Sequence, residues 1–211
     1  MQFPDARILI FAKAPQAGRV KTRLVSSVGA EGAADFHRKC VRFAVAQRCS
    51  AALAPVVLYA TPDIQSALFT GLAAKWPLEL AQQQGADLGE RMYRAAREQL
   101  TTARAVLLTG TDAPALQDAH LQLALERLYD DVDVVMQPAE DGGYVMLGLR
   151  SDQPQLFDEM PWGSDQVARE TRQRCASLGL TLYELPQSWD VDRPQDLDRL
   201  SGLEAFSTFQ G

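Results

Sequence analysis

The stretch ILIFAKAPQAGRVKTRL (residues 8–24) changes character midway. Its first four residues are apolar in succession, the composition of a short strand buried on both faces. The chain then runs at once into a loop that carries Lys13, Arg19, Lys21 and Arg23. From Arg7 to Ala30 there are five Lys or Arg and no Asp or Glu, although the net charge of the whole chain is −6. Uncompensated positive charge in an acidic protein calls for a partner from outside the chain. In parallel sheets such partners bind at the carboxyl ends of the strands, where this loop begins.

Outward from RILIFAK (7–13), strand-like and helix-like segments alternate. A helix is expected over 30–53, with Phe36, Cys40, Phe43 and Ala44 on one side. A strand over 55–61, a helix over 63–75 and a strand over 78–82 follow. The segment 88–100 is amphipathic, with Leu88, Met92, Ala95, Ala96 and Leu100 on one face. ARAVLLTGTDAP (103–114) is a second passage from strand to loop. Then come a helix over 118–129, strands over 133–139 and 143–149, a helix over 165–177 and a strand over 180–186. Pro194 is well placed to open a last helix. This order predicts an α/β fold with a mostly parallel sheet flanked by helices, Rossmann-like in layout. No repeat or composition break divides the chain, so residues 1–200 read as one domain and 201–211 as a weakly patterned, frayed tail.

Bulk properties narrow the function. A chain of 211 residues buries roughly 70% of its unfolded surface and needs no staples. The acidic balance argues against nucleic acid or an anionic membrane as main partner. No segment approaches the ~20 apolar residues of a membrane span, and the start lacks a signal-peptide pattern. Cys40, Cys49 and Cys175 show no CxxC spacing and are odd in number, as free thiols of a reducing compartment are. A cytoplasmic location is the expectation. His37 and His120 read as surface-helix histidines with no role.

Four stretches can carry chemistry. In the opening loop, Gly18 permits backbone angles barred to other residues, and the cations alternate with Val20 and Thr22. A triphosphate suits such a loop, because several cations repel each other until a polyanion arrives. A solvated basic loop is the plainer alternative. A Walker loop is excluded, since it requires Gly directly before the Lys and Val20 stands there. LLTGTDAPAL (107–116) sets Asp112 just past a strand, poised either to hold Mg²⁺ or to cap the next helix. PAEDGGYVMLGL (138–149) places Glu140 and Asp141 before Gly142 and Gly143. That is a hairpin turn, or a point where a substrate approaches the backbone and a carboxylate grips its hydroxyl. In WDVDRPQDL (189–197), Asp190 and Asp192 sit two apart and point the same way in extended backbone. They either share a cation or form an exposed acidic stretch.

Taken together and in this order, the four stretches resemble the bacterial family DUF2064, whose members are also called glycosyltransferase-like or nucleotide-diphospho-sugar-transferase-like. The likeness runs from residue 8 to about 200. It implies a compact GT-A fold, shared with sugar-nucleotide synthases, molybdenum-cofactor nucleotidyltransferases and phospholactate guanylyltransferase. It also implies nucleotide and phosphate binding along Ala12, Lys13, Pro15, Gly18, Arg19, Lys21 and Arg23. Asp112 matches the relatives' metal-binding aspartate, and Asp192 matches the late carboxylate of VDTPEDL, with Arg193 and Gln195 in place of Thr and Glu. The acceptor segment matches Glu140, Asp141, Gly142, Gly143 and Tyr144. PWGSDQV (161–167) falls where relatives carry W-S-T. The resulting expectation is a transferase dependent on Mg²⁺ (or Mn²⁺) that moves a nucleotidyl group from an NTP to a small phosphorylated or hydroxylated acceptor. Lys21, Arg23 and Asp112 would act on the reacting phosphates. Two other readings are glycosyl transfer from a nucleotide-diphospho sugar and nucleotide sensing without catalysis. The partners expected are small molecules, with no nucleic acid.

Overall fold

Side chains along the first strand alternate between two apolar layers, and the rest of the sheet is built around that strand. The computed structural model describes residues 1–200 together with Leu203 and Phe206. In β1 (Ala6–Lys13), Ile8, Ile10 and Ala12 enter one layer while Leu9 and Phe11 enter the other. This is the period-2 geometry of a pleated strand. β1 pairs in parallel with β2 (Val56–Thr61) and with β4 (Ala105–Thr109), so Ile10 lies opposite both Leu58 and Thr109. The strands β3 (Leu78–Gln82), β5 (Val134–Pro138), β6 (Tyr144–Leu149) and β7 (Leu182–Glu184) complete seven in the order β3-β2-β1-β4-β6-β5-β7. β6 runs antiparallel to β4 and β5, and the other neighbours are parallel. The chain winds from β1 to one edge and then, from β4, to the other. The switch point between β1 and β4 therefore opens a crevice at their carboxyl ends.

Helices α1 (Val25–Ala51), α2 (Ala67–Lys75) and α4 (Asp118–Tyr129) contribute to the layer that holds Ile8 and Ile10. Helices α3 (Leu88–Leu100) and α5 (Val167–Ser177) pack on the opposite face. α3 begins where its sequence predicts. The Asp87 carboxylate accepts from the Glu90 amide at 2.8 Å, and the Glu90 carboxylate accepts from the Ala86 amide at 2.7 Å. α1 starts earlier than the expected residue 30 because a short helical turn precedes Gly29, whose φ of 73° breaks the run. β7 is shorter than the expected 180–186. It is an edge strand paired with β5 alone.

A third apolar cluster decides where the chain's end goes. Val191, Leu197 and Leu200 pack on Leu24, Phe36 and Cys40 of the loop and helix that follow β1. This brings segment 189–192 back beside the basic loop. The last helix, Pro194–Leu200, is of the 3-10 type. The expected tail over 201–211 lies outside the described residues except for Leu203 and Phe206, and Phe206 is buried against Phe36 and Phe43. All three cysteines are free thiols. Among the described residues no helix is long and apolar enough to cross a membrane.

β6 lies under α4 with no room to spare. A Cβ at Gly148 would stand 2.8 Å from Leu107 Cδ2 and 2.9 Å from Leu128 Cδ1. Gly148→Val is expected to cost about 1–3 kcal/mol through overpacking, read as a lower urea midpoint at unchanged slope.

Candidate active site

The loop between β1 and α1 is curled by two left-handed residues. Gly18 has φ 73°, and Lys21 has φ 46°, ψ 43°, a conformation that disfavours side chains with a Cβ. Val20 is buried and anchors the loop to the body. Lys13 Nζ donates to the Arg19 carbonyl at 2.9 Å and closes the loop on itself. Lys13, Arg19 and Arg23 are exposed. Lys21 is not. Its side chain is 5% exposed, its ammonium lies 2.8 Å from Asp112 Oδ2, and it donates to the Val191 carbonyl. Of the phosphate-binding cations expected from sequence, Lys21 alone is engaged inside the body, while the other three face water.

Asp112 stands two residues past Gly110 at the end of β4. It does not cap α4, whose first turn is closed instead by the paired side chains of Gln117 and His120. Its backbone carbonyl accepts from the Val191 amide at 2.9 Å, which ties the end of β4 to segment 189–192. His37 is the residue the sequence reading missed. Expected at the surface, it is buried, with Nε2 2.9 Å from the Lys13 carbonyl and Nδ1 3.7 Å from Asp112 Oδ1. The missed signal is the stripe Ala33, His37, Val41, Ala44, which sets His37 among small and apolar residues on a buried face. Burial alone would raise the Asp112 carboxyl, but Lys21 and then His37 overcome it and hold the group far below the usual carboxylate range. Burial likewise works to lower the Lys21 ammonium, and the Asp112 charge lifts it above its ordinary value.

Asp192 forms an ion pair with Arg23 across the mouth of the crevice. The Asp196 carboxylate accepts from the amides of Asp192 and Arg193 at 3.0 and 2.7 Å and fixes this turn. Asp190 lies between. Burial, then the charge of Asp141, push its carboxyl up to about 6, with Asp112 and Asp192 adding to the rise and Lys21 opposing it. The two aspartates of segment 189–192 thus join Asp112 and Asp141 in one negative crevice. Glu140 also lines this charged crevice, but a cation already engages it. It holds Arg199 through two hydrogen bonds of 2.7 and 2.9 Å, and Arg199 in turn stacks on Trp189.

The turn after β5 is both a hairpin and a wall of the crevice. Asp141 Oδ1 accepts from the Gly143 amide at 2.9 Å. Gly142 has φ 88°, its carbonyl accepts from the Ala168 amide at 2.9 Å, and a Cβ there would lie 2.2 Å from the Asp165 carbonyl oxygen. Glycine is required at 142 by contact as well as by conformation. Tyr144 follows, and its hydroxyl is buried without a hydrogen-bond partner. At the other rim, the Ala12 carbonyl accepts from Gln83 at 3.0 Å, and Pro15 is half-buried.

Among the described residues no group of three or more His, Cys, Asp or Glu forms a metal cage. Asp112 and Asp192 offer what Mg²⁺ prefers, one or two carboxylates with its other positions left to phosphate and water. The crowding that raises Asp190 is what a cation would relieve.

The two sides of the ion pair titrate at opposite ends of the pH scale. Asp112 ionises at lower pH folded than unfolded, so its contribution is present above about pH 4 and fades as pH falls toward the folded value. Lys21 is raised, so its contribution is present below about pH 10.4 and fades as pH rises through the folded value. Lys21→Ala is expected to cost about 1–3 kcal/mol at pH 7, with the gap from wild type closing below about pH 4 in denaturant titrations. Asp190 has the reverse sign for a carboxyl. Its protonated form favours the fold, a contribution lost as pH rises through about 6. Asp190→Asn is expected to melt higher than wild type at pH 8 without Mg²⁺, by differential scanning fluorimetry.

Comparison with known proteins agrees with this architecture. Residues 44–164 match the family model "Uncharacterized protein conserved in bacteria (DUF2064)". No curated protein matches the sequence. A crystal structure from Desulfovibrio desulfuricans G20, provisionally named a nucleotide-diphospho-sugar transferase, is 32% identical with a TM-score of 0.86, covering 98% of this chain and 90% of that one. CMP:2-keto-3-deoxy-manno-octonic acid synthetase complexed with CTP superposes with a TM-score of 0.61 at 12% identity, covering 96% and 99% of the two chains. A cytidylyltransferase from Leptospira borgpetersenii serovar Hardjo-bovis (strain JB197) gives 0.60 at 13%, covering 98% and 92%. The last two likenesses show the fold alone. With more than half its length matched by the family model and a 32%-identical relative covering 98% of it, the chain belongs to the DUF2064 family.

Proposed function

We propose that the protein is a Mg²⁺-dependent nucleotidyltransferase that passes a nucleotidyl group from an NTP to a small phosphorylated or hydroxylated acceptor. The observation that carries this reading is the convergence of Lys21 on Asp112 and of Arg23 on Asp192 at the carboxyl ends of β1 and β4. Residues some 90 and 170 positions apart are thereby gathered around one crevice. The fold shared with nucleotide-bound and cytidyl-transferring proteins supports it.

In this reading the nucleotide lies across the carboxyl edge of the sheet, with its base near the Ala12–Pro15 turn. Asp112 and Asp192 would hold Mg²⁺, which supplies positive charge to the reacting phosphates. Lys13, Arg19 and Arg23 attract and neutralise the outer phosphates. Phosphate oxygens compete with Asp112 for the Lys21 ammonium, which is already desolvated and fixed in place. An acceptor oxygen beside Asp141 attacks the α-phosphorus. As that bond forms, the bond from the α-phosphorus to the bridging oxygen breaks, and pyrophosphate leaves with the electron pair. A hydroxyl acceptor gives its proton to Asp190 or Asp141. Positioning and charge do the work, with no covalent nucleophile.

The provisional name of the 32%-identical relative raises a second reading, glycosyl transfer from a nucleotide-diphospho sugar. Against it, the end of β4 offers the single Asp112 rather than paired aspartates. Product analysis with an acceptor pool separates the two. Pyrophosphate release is expected, and NDP release instead would establish the second reading. Nucleotide binding with neither product would leave a sensing module. Asp112→Asn is expected to lower pyrophosphate release by about 10²–10³-fold, and Arg23→Ala to weaken triphosphates more than monophosphates in a thermal-shift titration. Full Mg²⁺-dependent stabilisation by NTP in Asp112→Asn would remove Asp112 from the site.

A further inference from the structure

Beside the charged crevice lies a cavity of a different kind, about 270 Å³ in volume, on the α3 and α5 side of the sheet edge. Phe11, Leu88, Met92, Leu108, Tyr144 and Trp162 make its apolar wall. Its size is near the lower end of small-molecule sites, about 300–1,000 Å³. A charged cavity of about 360 Å³, lined among others by Arg23, Asp190 and Asp192, opens next to it. Asp141 lines both. An apolar compartment and a charged one thus meet at a single carboxylate.

We propose, taking the nucleotidyl-transfer reading as given, that the acceptor carries a flat apolar body seated against Trp162, with its reacting oxygen beside Asp141. The wall is built for such a body. The Trp162 indole lies so close to α3 that a Cβ at Gly89 would fall 2.2 Å from its Nε1, so the glycine makes room for the ring. Tyr144 meets Trp162 edge to face with centroids 6.3 Å apart, a favoured aromatic arrangement. Leu88 lies on the apolar face of α3, yet it is 48% exposed at the cavity. Apart from the aromatic residues, the polar side chains in this lining are Thr109, Asp141 and Ser164, and the two hydroxyls already donate to the Leu9 and Pro161 carbonyls. Most hydroxyls of a sugar ring would therefore lack partners on the wall, and each unpaired group is penalised. A planar hydrocarbon ring covers the same wall without that penalty. This gives the segment PWGSDQV a role: Trp162 selects the acceptor.

The test uses 1-naphthyl phosphate and glucose 1-phosphate as probes on the full chain, by isothermal titration and tryptophan fluorescence. The naphthyl compound is expected to bind about tenfold or more tightly than the sugar phosphate. Trp162→Ala should weaken it about tenfold while leaving stabilisation by Mg²⁺ and NTP unchanged. Because Trp162→Ala removes a large partly buried side chain, Leu88→Asp at the exposed rim provides a second variant, expected to weaken the same probe. Glucose 1-phosphate binding as tightly as 1-naphthyl phosphate, or naphthyl binding indifferent to both variants, overturns the proposal. The two readings fail separately. No stabilisation of wild type by any NTP overturns nucleotidyl transfer and the acceptor role with it. Stabilisation by NTP without a Trp162-dependent naphthyl response overturns the apolar acceptor alone.

Discussion

The Lys21 ammonium is the point at which three distant parts of the chain are joined. It belongs to the loop after β1, is paired with Asp112 at the end of β4, and donates to the Val191 carbonyl near the chain's end. Withdrawing an ammonium from water costs several kcal/mol, and a lone carboxylate does not always restore it. Here a carbonyl adds a second acceptor, while the Asp112 carboxylate keeps contact with solvent. The backbone reaches this arrangement through a left-handed Lys21, a conformation held only where surrounding contacts fix it. Loosening this contact would remove the one side chain, among the described residues, that touches the basic loop, the β4 terminus and segment 189–192 at once.

The same contact explains why a crevice rich in aspartates tolerates its own charge. Asp112 is offset by Lys21 and Asp192 by Arg23, while Asp190, which has no ion-pair partner among the described residues, is the carboxyl pushed upward. On the proposed reading, a nucleotide with its metal would exchange partners rather than add charge. Phosphates would take over the cations, and the cation would take over the carboxylates. Each internal ion pair of the free protein then stands where one half of the substrate complex is to be neutralised. That is electrostatic preorganisation, since the groups are oriented before the ligand arrives.

Much of this was legible in the sequence, and the gaps have physical causes. β3, α3 and α4 fall on the residues expected from sequence, and for α3 the reason is an apolar stripe, which is a local property. The apposition of Lys13–Arg23 with Asp112 was readable from charge and from the position of strand ends. What linear pattern could not show is the partner each charge chooses. Lys21 looks like its neighbours in sequence, and only the fold reveals that it alone turns inward. Glu140 and Asp141 are adjacent acids, yet Arg199, 59 residues away, takes the first. His37 was misjudged because a polar residue on a helix defaults to the surface unless the buried stripe around it is weighed. Leu88 was placed on the apolar face of α3, and it stands partly exposed where that face meets a cavity.

Gly142 and Gly89 show how the two halves of the crevice are supported by opposite layers. Gly142 brings the hairpin turn against Asp165 and the first turn of α5, and Gly89 brings Trp162 against the first turn of α3. Both contacts lie on the face covered by α3 and α5. The charged half instead rests on His37 of α1 and on the Val191–Leu200 segment, which pack on the other side. A change in the apolar wall can therefore be made in one layer while the Lys21–Asp112 and Arg23–Asp192 pairs stay fixed by the other. On the proposed reading, such separation would let the acceptor wall vary while the Lys21–Asp112 contact is kept, because Trp162 and Gly89 bear no share of that contact.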